Sequence, residues 1–145
     1  MVQIRSEKSL GTLTPNIWYI VYRDDTATLK AVEVKFEAGR MVAVKRPMRL
    51  LEPITKDDQQ LDPKRLKIDS DKAIQIAMKE PILEHLTVKA TQLRLEQKDG
   101  IPVWKVRVWA AKLSDPNRDV DVGEIVLDSE DGKVVDLDVH PSKVD

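Results

Sequence analysis

Four consecutive segments in the second half of the chain alternate apolar and polar residues, and this pattern constrains the fold most. The segments are residues 88–95, 103–110, 120–127 and 133–139. Successive side chains of a strand point to opposite faces of its sheet, so a period of two predicts strands with one buried face. Asp99-Gly100 and Asp131-Gly132 provide the positive backbone angles that tight hairpins need. The pattern therefore predicts four antiparallel strands.

One principal helix is predicted immediately before these strands, over residues 68–79. Asp69 or Ser70 can cap its first turn, because a short polar side chain accepts hydrogen bonds from the free backbone N–H groups. Pro81 lacks a backbone donor and clashes with the preceding turn, so the helix ends or bends near Glu80. The residues that recur on one stripe are Ala73, Ile74, Ala77 and Met78.

The first half of the chain predicts a smaller β-meander. Residues 16–22, 29–36 and 41–44 are rich in β-branched and aromatic residues, and Gly39 supplies a turn between the last two. The apolar side of the middle strand consists of Val32, Val34 and Phe36. We therefore divide the chain into an N-terminal meander (1–52), a polar, proline-punctuated connection with one helical turn (53–67), and a helix with four strands (68–145).

A degenerate internal repeat is predicted when Trp18 is aligned with Trp104. Each tryptophan opens a strand, and Gly39 and Gly132 then fall at comparable hairpins, since a longer loop at 111–119 absorbs the difference in spacing. In this alignment the first unit lacks the helix.

Composition excludes several classes of function. The 145 residues carry 24 basic and 25 acidic side chains, a formal net charge of -1, so no global field favours nucleic acid or an anionic membrane. No apolar run is long enough for a membrane span or a signal-peptide core. The absence of cysteine excludes a disulfide framework, a thiolate metal site and a cysteine nucleophile.

The second half also resembles a known family. The helix SDKAIQIA, the segment WKV at Trp104, and IVLD followed by DGKVV at Asp131 occur in an order and spacing that resemble the PepSY domain, over residues 68–138. The resemblance implies an α+β fold with an antiparallel β-sheet and one helix packed on a sheet face. It also implies an extracytoplasmic bacterial setting (periplasmic, secreted or surface-anchored) and a non-catalytic role, since such domains occur in propeptides of secreted metallopeptidases and are proposed to restrain peptidases.

Residue patterns provide no catalytic or metal site. His85 and His140 have no metal-ligand spacing, and we expect both to be surface or structural residues. Aspartates near the C-terminus suggest calcium, yet Leu127 and Ser129 occupy positions where an EF-hand loop needs oxygen ligands, which favours a solvated turn. No nucleophile elbow, phosphate-binding loop or dinucleotide motif is present. We predict no enzyme, no catalytic residue, no metal and no cofactor. The alternatives are a small-ligand or calcium-binding protein, and an enzyme whose pocket the linear pattern hides.

Partner binding has one candidate site. Trp104 and Trp109 are five positions apart, so they point to opposite faces of a regular strand. Trp109 shares its face with Lys105 and Arg107, which could contact a peptide or an acidic partner. The alternative, which we favour, is that Trp109 packs beneath the helix or the first meander. Exposed strand edges offer a second route to a partner. We therefore predict a non-enzymatic binding or regulatory module that recognises a protein or peptide. The sequence does not determine its oligomeric state.

Overall fold

The computed structural model describes residues 1–23, 31–45 and 60–145. Within them the chain forms one open, eight-stranded antiparallel sheet with one α-helix on one face, which confirms the predicted α+β class. The strands are β1 (Gln3–Ser6), β2 (Ile17–Arg23), β3 (Ala31–Glu37), β4 (Arg40–Lys45), β5 (Val88–Lys98), β6 (Ile101–Ala111), β7 (Asp119–Asp128) and β8 (Val134–Val139). Their order across the sheet is β4-β3-β2-β1-β5-β6-β7-β8.

Two four-stranded meanders run outward from the middle of this sheet. β1 and β5 join them as an antiparallel pair, with Ile4 opposite Leu95 and Arg5 opposite Arg94. The strands predicted at 16–22, 41–44 and in the second half are confirmed with small shifts of their ends. β3 begins at Ala31, and residues 29 and 30 of its predicted range lie outside the described residues, as does much of the predicted connection. The units predicted at 1–52 and 68–145 thus share one sheet.

The helix α1 (Ser70–Met78) begins and ends where the sequence predicts. Asp69 is the N-cap, and its side chain accepts a 2.8 Å hydrogen bond from the backbone N–H of Lys72. After the helix, Pro81 opens a short 3-10 turn, because proline suits the first position of a turn but not a helix interior. The buried face of α1 consists of Ala73, Ile74 and Ala77. These small and branched side chains let the helix approach the sheet closely.

The hydrophobic core lies between α1 and the second meander. Trp104 is 4% exposed, and its indole N–H donates a 2.7 Å hydrogen bond to the carbonyl of Ile68, just before the helix. Trp18 meets Trp104 edge to face, with 6.3 Å between ring centroids, so the first meander contributes to the rim of the same core. The core residues of the second meander include Leu93, Leu95, Val106, Val108, Ile125 and Leu127.

The two meanders share part of their strand pairing. Trp18 lies opposite Phe36 in the first meander, and Trp104 lies opposite Leu127 in the second. The register then shifts immediately before Phe36 in the β3–β4 pair and immediately before Leu127 in the β7–β8 pair. A bulge inserts one residue at a defined place in a ladder. The bulge thus occurs at corresponding places in the two meanders, although the β6–β7 pair has a further register shift between Val108 and Trp109 that the β2–β3 pair lacks.

Candidate protein-binding surfaces

The structure brings Lys105, Arg107 and Trp109 together on the face of β6 that points away from α1. Trp109 is half-buried there, and the ammonium nitrogen of Lys8 lies 4.9 Å from its ring centroid. The first half of the favoured alternative, packing beneath the helix, is wrong, because α1 covers the opposite face. The second half, packing beneath the first meander, stays a prediction: the contact with Trp109 from the N-terminal unit is the one made by Lys8. The prediction that Trp104 and Trp109 occupy opposite faces is correct.

The two cations beside Trp109 have carboxylate partners within the protein. Lys105 lies 2.6 Å from Glu96, and Arg107 donates hydrogen bonds to Asp121 (2.8 Å) and Glu124 (3.3 Å). Partial burial by itself lowers the pKa of Arg107, but the hydrogen bond to Asp121 and the charges of Asp121 and Glu124 raise it overall. An acidic partner would have to displace these contacts. The face of Trp109 is therefore a weaker site for an acidic partner than its cations alone suggest.

A shallow groove of about 290 Å³ continues this polar face toward the first meander. Its lining is Arg5, Ser6, Gln92, Leu93, Arg94, Lys105, Arg107 and Glu124. Arg5 on β1 pairs with Glu33 on β3 at 2.8 Å, across the intervening strand β2. Pairs that are partly exposed to solvent contribute little net free energy to folding. The groove is polar and internally neutralised, and it contains no arrangement of nucleophile and base.

Tyr19, on the same face of the first meander, provides a testable pH dependence. Its hydroxyl donates a 2.6 Å hydrogen bond to Glu7, which with partial burial raises the pKa of Tyr19 from 10.0 to about 12. The unfolded chain then loses this proton first, so the stability that the contact provides is present below pH 10.0 and is lost as the pH rises toward about 12. Phenolate absorbance should show this late titration, and Glu7→Gln should lower the pKa of Tyr19. An unchanged titration in Glu7→Gln would contradict the assignment.

Among the described strands, β4 at the edge of the sheet has the most exposed apolar side chains. Met41 is 63% exposed, Val42 is 52% exposed and Val44 is 60% exposed. Among the described residues, no strand pairs with β4 on its outer side. Sequence patterns predicted this strand but could not show that it forms an edge, because strand order depends on pairing between distant segments.

The histidines and acidic residues form no metal cluster within the described residues. His140, directly after the edge strand β8, contacts Asp138 of that strand at 2.8 Å. In residues 1–23, 31–45 and 60–145, no group of three or more His, Asp or Glu side chains is arranged to hold a metal ion. None of the helices in these ranges is long and apolar enough to cross a membrane.

Comparison with known proteins gives no relative from which a function could be inferred, so the candidate surfaces described above are the main guide. No protein-family model, curated protein or solved structure matches this chain. The resemblance to the PepSY domain accordingly stays a prediction that rests on the residues named above.

Proposed function

We propose that this protein is a non-catalytic binding module that takes an extended segment of a partner protein along the outer edge of β4. The observation that carries the proposal is the exposed, uncharged run from Met41 to Val44 on an edge strand. An unpaired edge offers a row of backbone donors and acceptors, and an added strand satisfies them. The PepSY resemblance adds an extracytoplasmic bacterial setting and a regulated peptidase as the class of partner.

The other edge of the sheet shows why β4 is distinctive. Proteins commonly protect edge strands with charged side chains, which discourage pairing with other chains. β8 has this protection, since Asp136 and Asp138 lie within it. In the equivalent pairing, Asp136 lies opposite Val126 on β7, whereas Ala43 lies opposite Lys35 on β3. β4 therefore lacks the central charge that β8 carries at Asp136, and its own charged residues, Arg40 and Lys45, stand at its two ends.

Both sides of β4 contribute to this surface. Val42 is the extra residue of the bulge, between Met41 and Ala43. The exposed side chains of Met41, Val42 and Val44 provide apolar contacts for an added strand. Backbone hydrogen bonds would provide affinity and these side chains would provide selectivity. By contrast, the cations beside Trp109 already have partners, so the β4 edge is the better-supported of the two predicted routes.

The test introduces into β4, by Ala43→Asp, the carboxylate that β8 carries at the equivalent position, Asp136. Linear peptides are selected from a random library on the full chain, and their binding is measured by titration and by amide chemical shifts. We expect the selected peptides to perturb amides of β4 and to bind about tenfold more weakly to Ala43→Asp, a loss of about 1.4 kcal/mol. Circular dichroism verifies that the variant is folded.

Two control variants locate the effect. Asp136→Ala removes a charge from the opposite edge, and Trp109→Ala truncates the other candidate surface; neither should change the affinity of peptides that bind β4. Equal binding by the wild type and Ala43→Asp would remove the β4 edge from consideration. A loss confined to Trp109→Ala would instead assign binding to the face with Lys105 and Arg107.

A further inference from the structure

The first meander has an apolar face on the same side of the sheet as α1. Leu95 belongs to the core beneath the helix, Ile4 lies directly opposite Leu95, and Ile20 lies directly opposite Ile4. Directly opposed residues of neighbouring strands point to the same side, so the core face continues outward through β2, β3 and β4. We call this surface the open face; it consists of Ile20, Tyr22, Val32, Val34, Phe36, Met41 and Val44.

Equivalent positions differ strongly in burial between the two meanders. In the second meander, Val106, Ile125 and Leu127 are 0% exposed. Their counterparts by strand pairing are Ile20, Val34 and Phe36, all of which are only half-buried. Tyr22 is 40% exposed, whereas its counterpart Val108 is completely buried. The residue types are apolar in both meanders, so the difference is in what covers them.

The second meander is buried by α1 together with Leu61, Leu83 and Val144 from segments outside the helix, and α1 is the longest of these covering elements. It places Ala73 and Ala77, which are completely buried, against the sheet, and it leaves Asp71, Lys72 and Gln75 in solvent. Alanines at this spacing allow the helix axis to lie close to a sheet of branched side chains. Among the described residues, the open face has no such helix over it. The fold therefore shows directly what kind of element fits a face of this shape and chemistry.

We propose that the open face binds an amphipathic helix of a partner protein, with small residues on its contacting side, in the position that α1 occupies on the second meander. The face is continuous with the core, because Trp18 packs against Trp104 at the boundary between them. A helix docked there would extend the apolar layer already formed by α1. The inference concerns a face of the sheet and does not rest on strand addition at the β4 edge.

A peptide with the sequence of residues 68–80 is a suitable probe, because it carries the contact stripe of α1. A side-chain cross-link between positions 75 and 79, on its exposed side, holds it helical, since an isolated helix this short is marginal in water. Amide chemical shifts of the labelled full chain are followed during titration. We expect the peptide to cause saturable shifts of amides in β2, β3 and β4. A peptide variant with Ala73→Glu and Ala77→Glu should cause no such shifts.

Protein variants locate the binding face. Val34→Glu places a charge in its middle, and Met41→Glu places one at a 63% exposed position where folding is not at risk. We expect each to weaken the peptide about tenfold, because a carboxylate at the contact must be desolvated. Ala43→Asp should leave helix binding unchanged, and Val34→Glu should leave strand addition unchanged, so failure of one proposal is distinct from failure of the other.

Several outcomes would overturn the inference. Absence of shifts at millimolar peptide, or shifts outside β2, β3 and β4, would exclude the open face as a helix site. Nuclear Overhauser contacts between the open face and residues 46–59 of the same chain would show that the chain covers the face itself. Concentration-dependent association abolished by Val34→Glu but not by Ala43→Asp would assign the face to a second copy.

Discussion

Gly123→Ala is expected to lower the free energy of unfolding by about 2–5 kcal/mol, although it adds a single methyl group. Gly123 lies in β7 beside the bulge that shifts the β6–β7 register between Val108 and Trp109. Its φ is +130°, a backbone conformation that residues with a side chain rarely adopt. A Cβ atom there would overlap the carbonyl oxygen of Asp138 and lie 2.9 Å from the Cα of Val139.

The cost is large because both neighbours are backbone atoms of a paired strand. Gly123 lies opposite Val139, so relief of the overlap requires β8 to move away from β7 along that part of the ladder. The same position also orients the polar face, since the N–H of Gly123 donates a 2.9 Å hydrogen bond to Asp121, which in turn accepts from Arg107. A shift of β7 would thus disturb the core side and the polar side of the sheet together.

Gly100→Ala is the matched control for backbone strain. Gly100 has a φ of +79°, but no atom lies within 4 Å of the Cβ that would be added, so the expected loss is about 1 kcal/mol. Urea unfolding followed by circular dichroism measures both variants under the same conditions. Equal losses in the two variants would show that close approach of β8 contributes nothing beyond the strain of a positive φ.

Local patterns predicted the parts of the fold that local interactions determine. A few neighbouring residues are enough to predict the bounds and the buried face of α1. These residues are the cap Asp69, the buried Ala73 and Ala77, and Pro81, which ends the helix. The hairpins of the second half follow from alternation and turn residues in the same way. β1 was missed because Gln3–Ser6 is too short to display a period of two.

Pairing between distant segments could not be predicted, and the candidate surfaces depend on it. Alternation placed Trp104 and Trp109 on opposite faces correctly, but it contains no information about which face α1 covers. The ion pairs of Lys105 and Arg107 form with carboxylates on neighbouring strands, which only the register brings close. The β1–β5 junction likewise determines that β4 lies at an edge and that the open face continues the core.

Trp104→Ala is expected to be the most damaging side-chain truncation in this core, with a loss of about 3–5 kcal/mol. The indole is 4% exposed, so its removal leaves a cavity between α1 and β6. It also leaves the carbonyl of Ile68 without the 2.7 Å hydrogen bond that Trp104 donates. An unsatisfied carbonyl at the start of the helix adds its own desolvation cost. Thermal and urea unfolding of the variant measure the loss.

Trp18→Ala is the internal comparison, because Trp18 occupies the equivalent place in the first meander. It is only half-buried, and its indole N–H donates to the nearby carbonyl of Pro15 at 3.2 Å. The expected loss is about 1–2 kcal/mol, less than for Trp104 because less apolar area leaves water when the chain folds. The double variant then measures the contact between the two rings, for which about 0.5–1.5 kcal/mol of coupling is expected.

Comparing Trp18→Ala with Trp104→Ala holds the residue type constant and varies what covers the side chain. Both positions hold tryptophan, both lie opposite a large apolar residue on the next strand, and both strands sit one strand away from the central pair. A greater loss at Trp104 would therefore measure what α1 and the other covering residues of the core add at a corresponding position. Equal losses would mean that the face around Trp18 is already covered in solution, and the open face would then have no vacant site for a partner helix.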